Sequence, residues 1–320
     1  MTRIAVPADV LAQVQSLIDE RFIGENDRAS AIRLIDVDGD EIATAEAALR
    51  WGLDSTAFGA FLARAPRLRW LHSPGAGVEG WPFVELAEHG ITLTNAAGVY
   101  AIPIAEWVLT RMLEIVKRTD DVRAGQRERR WVSDLPVGEL YGKTILLLGS
   151  GGIARQVIIR AAAFGMRILV ANRSGRPVEL AERTAAGDGW RPLLAEADFV
   201  VSTLPLTTET GSLIGADELS RLKPTAWVIN VGRGGTIDQD ALFAAIRDRR
   251  IAGAALDVFT TEPLPAESPA WALDNLIISP HMSGDSDASQ RRSLELFAEN
   301  AIRFAANEPL LNVVDLTAGY

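Results

Sequence analysis

The sequence predicts an α/β protein of two domains, one of them built on a doubly wound parallel sheet. The chain has 320 residues, which is more than one hydrophobic core usually serves. Short apolar runs alternate with helix-forming stretches, a pattern typical of parallel strands that are connected by helices. A glycine-rich turn joins one of these runs directly to an apolar helix, as doubly wound sheets require at a ligand site.

The first part of the chain carries two predicted strands, two predicted helices and then a long connecting helix. Asp54 or Ser55 is a suitable N-cap for the second helix, and Pro103 falls in the first turn of the long one, where proline is tolerated. The strands are predicted at 32–35 and 68–71, and the helices at 10–21, 55–65 and 100–118.

The second part begins after a polar, arginine-rich segment at 123–130, where the pattern changes at Lys143. Six apolar strands follow and are separated by helix-forming sequence, which indicates the doubly wound sheet. These strands are predicted at 144–148, 167–171, 199–203, 227–231, 253–256 and 276–279. A last helix, predicted at 287–306, follows the final strand and could return to the first domain.

The composition excludes several classes of protein. Hydrophobic residues make up 48% and charged residues 23% of the chain, close to the globular average, which excludes disordered and fibrous proteins. A formal net charge of −10 would repel a polyphosphate backbone, so we expect no nucleic-acid partner. There is no cysteine, and the three histidines leave few ligands for a metal, so we expect none. Without a signal-peptide pattern or an apolar stretch of about 18 residues, we expect a cytoplasmic protein with no membrane contact.

A phosphate-binding turn is predicted at Gly149-Ser150-Gly151-Gly152-Ile153-Ala154. This segment fits the pattern G-x-G-x-x-G/A between a strand and a helix predicted at 153–164. Gly149 permits the tight turn, Gly151 lets the backbone approach a pyrophosphate, and the helix N-terminus supplies free N–H groups and a positive dipole end. We expect a dinucleotide ligand; the alternative is a glycine-rich turn that binds nothing.

The loop after the next strand distinguishes NAD from NADP. An acid about 20 residues after the glycines would bind the ribose 2′-OH of NAD, but the first acid here is Glu179. The loop instead contains Asn172, Arg173, Ser174 and Arg176, whose donors would favour the 2′-phosphate of NADP. We expect NADP to be preferred over NAD; the alternative is that both arginines are solvated loop charges.

Three polar side chains follow the ends of three predicted strands in the second domain. Arg233, Glu262 and His281 come after the strands at 227–231, 253–256 and 276–279. Open parallel sheets bind their ligands at the carboxyl ends of the strands, so we expect these residues to act together. Singly, each has another interpretation: an ion pair for Arg233, a solvated acid for Glu262 and a core histidine for His281. The other histidines, His72 and His89, are expected to be structural.

With these motifs the sequence resembles the D-2-hydroxyacid dehydrogenase family, which includes phosphoglycerate dehydrogenases and glyoxylate/hydroxypyruvate reductases. The resemblance covers roughly residues 65–310, and the first 65 residues match the family poorly. It implies a Rossmann-type NAD(P)-binding domain at 99–282 and a smaller, flavodoxin-like α/β substrate domain that the C-terminal helix completes, at 1–98 and 283–320. Its ordered motifs lie at 149–154, 204–210, 230–235, 255–263 and 279–281.

The resemblance also implies a role for each polar residue. Arg233 would hold the carboxylate of a small 2-oxo or 2-hydroxy acid through a bidentate fork. His281 would hydrogen-bond the 2-carbonyl and donate a proton as hydride moves from nicotinamide C4 to the 2-carbon, or accept the proton in the opposite direction. Glu262 would pair with His281, orient its ring and stabilise the imidazolium.

Other contacts follow from the same resemblance. Asp257 would accept a hydrogen bond from the nicotinamide carboxamide, although a strand-end cap is the alternative. Ala76 and Gly77, in a loop at 73–78, would join Arg233 and His281 in binding substrate; an ordinary turn is the alternative. The expected cofactor contacts are Gly149, Ser150, Gly151, Gly152, Ile153, Asn172, Arg173, Ser174, Arg176, Leu204, Pro205, Thr210, Val231, Gly232, Arg233, Asp257 and His281.

The resemblance implies a homodimer built on residues 100–141. Trp131 lies where relatives lend an aromatic side chain to the partner subunit, although an exposed packing role is the alternative. A dinucleotide-sensing binding protein is the competing function, since relatives include transcriptional corepressors, and an NAD-linked dehydrogenase is the other. The intact Arg233, Glu262 and His281 weigh against the first, and the loop after Ala171 weighs against the second.

Overall fold

The computed structural model describes residues 1–21, 31–51, 53–78 and 80–317, and the chain divides into two compact units. The terminal unit comprises Met1–Tyr100 and Ser286–Tyr320, and the central unit comprises Ala101–Asp285. Each unit has its own parallel sheet with helices. The assignment of a substrate role to residues 1–98 and 283–320 and of a cofactor role to 99–282 stays a prediction.

The terminal unit contains a five-stranded parallel sheet in the order β2-β1-β3-β4-β5. Its strands are β1 (Thr2–Val6), β2 (Ile32–Asp36), β3 (Ala47–Leu49), β4 (Trp70–His72) and β5 (Thr92–Thr94). Its first helices are α1 (Leu11–Arg21), α2 (Ser55–Arg64) and α3 (Phe83–Glu88). The predicted α1, α2 and β2 are confirmed, and Asp54 caps α2 by accepting a hydrogen bond from the Ala57 N–H at 2.8 Å.

The central unit contains a seven-stranded parallel sheet in the order β12-β11-β10-β9-β6-β7-β8. Its strands are β6 (Thr144–Leu148), β7 (Arg167–Ala171), β8 (Arg183–Ala185), β9 (Phe199–Ser202), β10 (Trp227–Asn230), β11 (Gly253–Leu256) and β12 (Leu276–Ile278). Its helices are α4 (Ala101–Lys117), α5 (Thr119–Arg127), α6 (Gly152–Ala163), α7 (Ala216–Ser220) and α8 (Gln239–Arg247). All six predicted strands are confirmed.

The last helix, α9 (Ser289–Ala305), belongs to the terminal unit, to which it returns as the sequence suggested. Its buried face packs with α1 against one side of the sheet. There the ring of Phe297 stacks on the buried ring of Trp70, with their centroids 5.5 Å apart. This helix therefore covers apolar surface of β4 that would otherwise lie open to water.

The centre of the second sheet is formed by β6, whose sequence TILLL is buried at all five positions. A strand buried on both faces needs a continuous apolar run, which β6 provides. It pairs with β7 on one side and β9 on the other, so the order of the strands reverses beside it. Such a switch point leaves a crevice at the carboxyl ends of the strands, where the next residues of interest lie.

Within the described residues, no helix is long and apolar enough to cross a membrane.

Candidate active site

The turn between β6 and α6 has the geometry that its glycines predict. Gly149 has a φ of +106°, and a Cβ added there would lie 2.6 Å from the Thr203 hydroxyl, so only glycine fits. The Thr203 hydroxyl in turn donates to the Leu148 carbonyl at 3.0 Å, which fixes the loop after β9 against this turn. The strand therefore ends in a tight turn that leads directly into the helix.

The backbone at the start of α6 is open. A Cβ added at Gly151 would meet nothing within 4 Å, so the backbone is open to a ligand there. Gly151 is the N-cap residue of α6, and the first N–H groups of a helix have no partner within it. No acidic side chain lies in the first turn, so the positive end of the helix dipole is not neutralised.

The loop after β7 is held by its own side chains. The Asn172 amide donates to the Arg176 carbonyl at 3.0 Å, and the Arg176 N–H donates to the Ser174 hydroxyl at 3.3 Å. Arg173 lies 3.4 Å from Glu209, a pair in which both side chains are largely exposed. The predicted residues of this loop therefore lie at the carboxyl end of β7, next to the strand that carries the glycine turn.

The predicted contacts after β9 and β10 belong to two loops that touch. The Thr210 hydroxyl donates to the Pro205 carbonyl at 2.6 Å, which closes the loop after β9. Gly232, which follows Val231 after β10, packs so closely on the backbone of Leu204 that a Cβ there would collide with it. The cofactor contacts expected of these residues stay predictions.

Glu262 and His281 form a hydrogen-bonded pair after the ends of adjacent strands. The distance between His281 Nδ1 and Glu262 Oε2 is 2.7 Å, and the side chains are 51% and 35% exposed. The second carboxylate oxygen, Oε1, accepts a hydrogen bond from the Phe259 N–H at 2.8 Å. Because both of its oxygens are engaged, Glu262 holds the imidazole in one orientation and leaves Nε2 as the ring atom for a ligand.

The backbone around His281 is strained and is supported by Asp257. His281 has a φ of +52°, and its N–H donates to the Asp257 carbonyl at 2.8 Å. The buried Asp257 carboxylate accepts from the Ser279 hydroxyl at 2.6 Å, from the Met282 N–H at 3.0 Å, and from both the N–H and the hydroxyl of Ser283. These bonds support the strand-end cap as the role of Asp257, while the carboxamide contact stays a prediction.

Arg233 follows β10, the strand next to β11. Its carbonyl accepts from the Asn230 amide at 3.0 Å and from the Thr236 hydroxyl at 2.7 Å, and its Nη1 donates to the Gly232 carbonyl at 2.8 Å. A Cβ at Gly234 would collide with the Phe259 carbonyl, so only glycine lets this loop lie against the loop that leads to Glu262. The three predicted residues thus follow three consecutive strands of one sheet.

The predicted loop at 73–78 belongs to the terminal unit and is held through its carbonyl groups. The Asn95 amide donates to the Ala76 carbonyl at 2.7 Å, and the Ala96 N–H donates to the Gly75 carbonyl at 2.9 Å. Within the described part of the chain, the N–H groups of Ala76 and Gly77 have no hydrogen-bond partner. Free N–H groups are compatible with an anion, and the substrate contact stays a prediction.

Two supporting residues were not predicted from the sequence. Asn230 is buried, and its side-chain oxygen accepts from the Gly232 N–H at 3.0 Å, which shapes the backbone that leads to Arg233. Ser283 lies two residues after His281 and donates hydrogen bonds from its N–H and its hydroxyl to the Asp257 carboxylate. An asparagine two residues before a glycine at a strand end is a turn signal that could have identified Asn230. Nothing in the local pattern identifies Ser283.

The fold and the site together define a dinucleotide-binding α/β protein with a fixed histidine–carboxylate pair and an arginine at neighbouring strand ends. Within the described residues, no group of three or more His, Asp or Glu side chains is arranged to hold a metal ion.

Comparisons with known proteins identify the family. Residues 109–283 match the family described as "D-isomer specific 2-hydroxyacid dehydrogenase, NAD binding domain". The glyoxylate reductase of Korarchaeum cryptofilum is 35% identical over 256 residues, which cover 78% of this chain and 77% of that protein. The crystal structure of a D-isomer specific 2-hydroxyacid dehydrogenase family protein from Aeromonas salmonicida is 31% identical with a TM-score of 0.83, and covers 98% of this chain and 99% of that one.

A third similar protein was solved with a cofactor. The D-isomer specific 2-hydroxyacid dehydrogenase of Xanthobacter autotrophicus Py2, in complex with NADPH and MES, is 30% identical with a TM-score of 0.79, covering 100% of this chain and 99% of that one. The present chain belongs to the D-isomer specific 2-hydroxyacid dehydrogenase family. It is an NAD(P)-dependent oxidoreductase that acts on the CH–OH group of 2-hydroxy acids.

Proposed function

We propose that this protein is an NADP-preferring 2-oxoacid reductase in which His281 is the proton donor. The observation that carries the proposal is the pair of His281 Nδ1 and Glu262 Oε2 at 2.7 Å. A carboxylate on one ring nitrogen stabilises the imidazolium and leaves the other nitrogen to meet the substrate. This arrangement suits a histidine that both gives and takes a proton.

The reaction joins one hydride and one proton to a carbonyl group. A bound reduced nicotinamide supplies the hydride that reaches the 2-carbon of the oxo acid. His281 donates a hydrogen bond from Nε2 to the carbonyl oxygen and transfers that proton as the C–O bond becomes single, which gives the 2-hydroxy acid. The Nδ1 proton stays on the ring, where Glu262 accepts its hydrogen bond and keeps the ring in place. The neutral His281 is then reprotonated from water. In the oxidative direction the same atom accepts the alcohol proton.

Arg233 is proposed to bind the substrate carboxylate. A guanidinium presents donors in a fork that matches a carboxylate, and such a grip fixes the 2-carbon relative to the acid group. The hydrogen bonds that Asn230 and Thr236 donate to the Arg233 carbonyl at 3.0 and 2.7 Å hold the backbone from which this fork extends. The glyoxylate reductase relative supports a small 2-oxo acid such as glyoxylate as substrate.

The preference for NADP rests on the loop after β7. It carries Arg173, Ser174 and Arg176, and it has no acid before Glu179 to accept a ribose 2′-OH. The similar protein from Xanthobacter was solved with NADPH, which supports the same preference here. Because NADPH is the reductant of this pair in most cells, reduction is the proposed direction.

Steady-state turnover tests the cofactor preference and the reaction together. With glyoxylate, hydroxypyruvate and pyruvate as substrates, kcat/KM should be about 10- to 100-fold higher with NADPH than with NADH, as charged hydrogen bonds of roughly 1.5–3 kcal/mol would give. An efficiency with NADH that equals or exceeds that with NADPH contradicts the preference. A lack of turnover across a broad panel of oxo acids would favour a dinucleotide-sensing binding protein instead.

Two substitutions test the assigned roles. His281→Ala should lower kcat by about 10²- to 10⁴-fold, the usual contribution of general acid–base catalysis. Arg233→Ala should chiefly raise KM for the oxo acid. NADPH binding, followed by nucleotide fluorescence, should survive the first substitution and so report correct folding. If His281→Ala keeps near-wild-type kcat, the proposed mechanism is wrong.

We also propose that the protein is a homodimer built on residues 100–141. Trp131 is 94% exposed, and Val122, Val137 and Tyr141 in the same stretch are also exposed. Exposed large apolar side chains that are close in sequence favour a surface that another protein covers. The resemblance to the family points to a second copy of this chain as that partner.

A further inference from the structure

A surface pocket of about 450 Å³ lies beside the phosphate-binding turn. One wall is formed by α6 and the other by the loop after β7, with Ser150 of the glycine turn at its edge. The polar residues that line it are Ser150, Arg155, Asn172, Ser174, Arg176 and Glu179. Four of these, Ser150, Asn172, Ser174 and Arg176, are expected cofactor contacts, whereas Arg155 falls outside the glycine motif and is not one of them.

The two arginines of this pocket are not neutralised by the protein. Within the described residues, the side chains of Arg155 and Arg176 form neither a hydrogen bond nor an ion pair. Arg173, by contrast, lies 3.4 Å from Glu209 and does not line the pocket. The cationic groups available at this position are therefore Arg155 and Arg176.

The place of Arg155 in α6 is itself unfavourable unless an anion is near. α6 begins at Gly152, so Arg155 lies at the end of its first turn, where the helix dipole disfavours positive charge. No acid in that turn offsets it. An anion in the adjoining pocket would interact favourably with both the dipole and the guanidinium.

We infer that Arg155 is a specificity-determining residue which, together with Arg176, binds the 2′-phosphate of NADP in this pocket. The inference rests on the proposed preference for NADP and adds the residue that the glycine motif does not specify. Ser174 provides a hydroxyl donor on the same wall. Glu179 is the one acid among the pocket residues, and its carboxylate would weaken the binding of a dianion.

Two comparisons isolate the contribution of the 2′-phosphate to binding. One uses two adenosine nucleotides, and the other uses NADPH and NADH. Calorimetric titration of the whole protein with 2′,5′-ADP and with 5′-AMP measures the contribution of the 2′-phosphate directly, without turnover, because the two probes differ only in that group. Arg155→Gln should weaken the binding of 2′,5′-ADP about tenfold or more and leave the binding of 5′-AMP unchanged, because a charged hydrogen bond is lost only with the first probe. In turnover, KM for NADPH should rise while KM for NADH and both kcat values stay the same.

Two further variants serve as controls. Arg221→Gln removes one positive charge from an exposed site of the central unit outside the pocket, and should leave the ratio of the two affinities unchanged. Glu179→Gln should act in the opposite direction and tighten the binding of 2′,5′-ADP.

The outcomes for this inference and for the proposed function are distinct. If the wild-type protein prefers NADPH but Arg155→Gln binds 2′,5′-ADP as tightly as the wild type does, Arg155 does not bind the 2′-phosphate. The preference for NADPH is then due to the loop after β7 alone. If the wild-type protein binds 2′,5′-ADP no better than 5′-AMP, the proposed preference and this inference both fail. An equal loss for both probes would mean that Arg155 acts on the fold of the turn, which also overturns the inference.

Discussion

Asp257 has a buried carboxylate. Its oxygens accept hydrogen bonds from Ser279, Met282 and Ser283, which belong to the loop that carries His281. Asp257→Asn replaces one oxygen by an N–H₂ group, which would face the donors of Ser283 without a partner. An unsatisfied buried donor costs about 1–3 kcal/mol, so we expect a loss of that size in unfolding free energy, measured by urea denaturation. The released loop should move His281 and lower kcat about tenfold or more, with little change in KM for the cofactor.

The same variant separates the two interpretations of Asp257. A residue that binds the nicotinamide carboxamide would, when changed, chiefly raise KM for NADPH and NADH alike. Asp285→Asn removes an equal charge from an exposed position that follows the same loop and should be nearly silent. A tenfold rise in both cofactor KM values with unchanged stability would show that Asp257 acts on the cofactor and not through His281.

His72 is buried in the terminal unit, and this burial lowers the pKa of its imidazole to about 3. In the unfolded chain a histidine has a pKa near 6.5, so between pH about 6.5 and about 3 the unfolded state binds a proton that the folded state excludes. Stability from this group is therefore complete above pH about 6.5 and is lost as the pH falls, by up to about 1.4 kcal/mol per pH unit.

His72→Asn should remove this part of the acid sensitivity. Asparagine can replace the 2.7 Å hydrogen bond between His72 Nδ1 and the Thr94 hydroxyl, but it does not titrate. Urea unfolding at pH 7, 5 and 4, followed by tryptophan fluorescence, should show a shallower loss of stability for the variant than for the wild type. The exposed His89→Asn is the matched control. If both variants keep the wild-type slope, proton exclusion at His72 does not contribute to acid sensitivity.

At the level of residues, the sequence predicts the groups that carry chemistry better than the groups that hold them. Arg233, Glu262 and His281 stand out because their types and their positions after strands suit a known chemistry. The pairing of Glu262 with His281 was expected and is present at 2.7 Å. Ser283 is ordinary in the sequence, because its importance comes from the fold of the chain around Asp257.

At the level of elements, length and periodicity decide what the sequence predicts. The long strands of the central sheet and helices α1, α2, α4, α6 and α9 were predicted, because each has a continuous apolar run or a clear apolar stripe. Strands β1, β3 and β5 were not predicted, and the last two have only three residues each. β8 is a short edge strand whose sequence, RTA, is mostly polar and not fully buried.

Helix α5 shows a different limit. It overlaps the polar, arginine-rich segment at 123–130, and its only buried residue is Gly125. A helix without an apolar stripe gives no periodic signal, so it cannot be distinguished from a polar loop.

At the level of the whole molecule, the stretch from α5 to β6 presents apolar side chains to solvent in a chain of net charge −10. If this surface forms the proposed homodimer, light scattering coupled to size exclusion should give a mass of about twice 34.5 kDa at micromolar concentrations. Trp131 is 94% exposed, and a tryptophan that becomes buried at the centre of an interface usually contributes about 2 kcal/mol or more. Trp131→Ser should therefore raise the dimer Kd about 30-fold.

A second exposed tryptophan, Trp271, provides the control for the stretch that contains Trp131. Trp271 is 55% exposed in the same unit but far along the chain, so Trp271→Ser removes a comparable exposed indole. Dilution of each variant, followed by sedimentation velocity, gives its Kd. A wild-type protein that stays monomeric at every concentration contradicts the dimer. Equal Kd values for the Trp131→Ser variant and the wild type would instead keep the dimer and move its interface elsewhere, because a buried anchor cannot be removed without weakening the contact it makes.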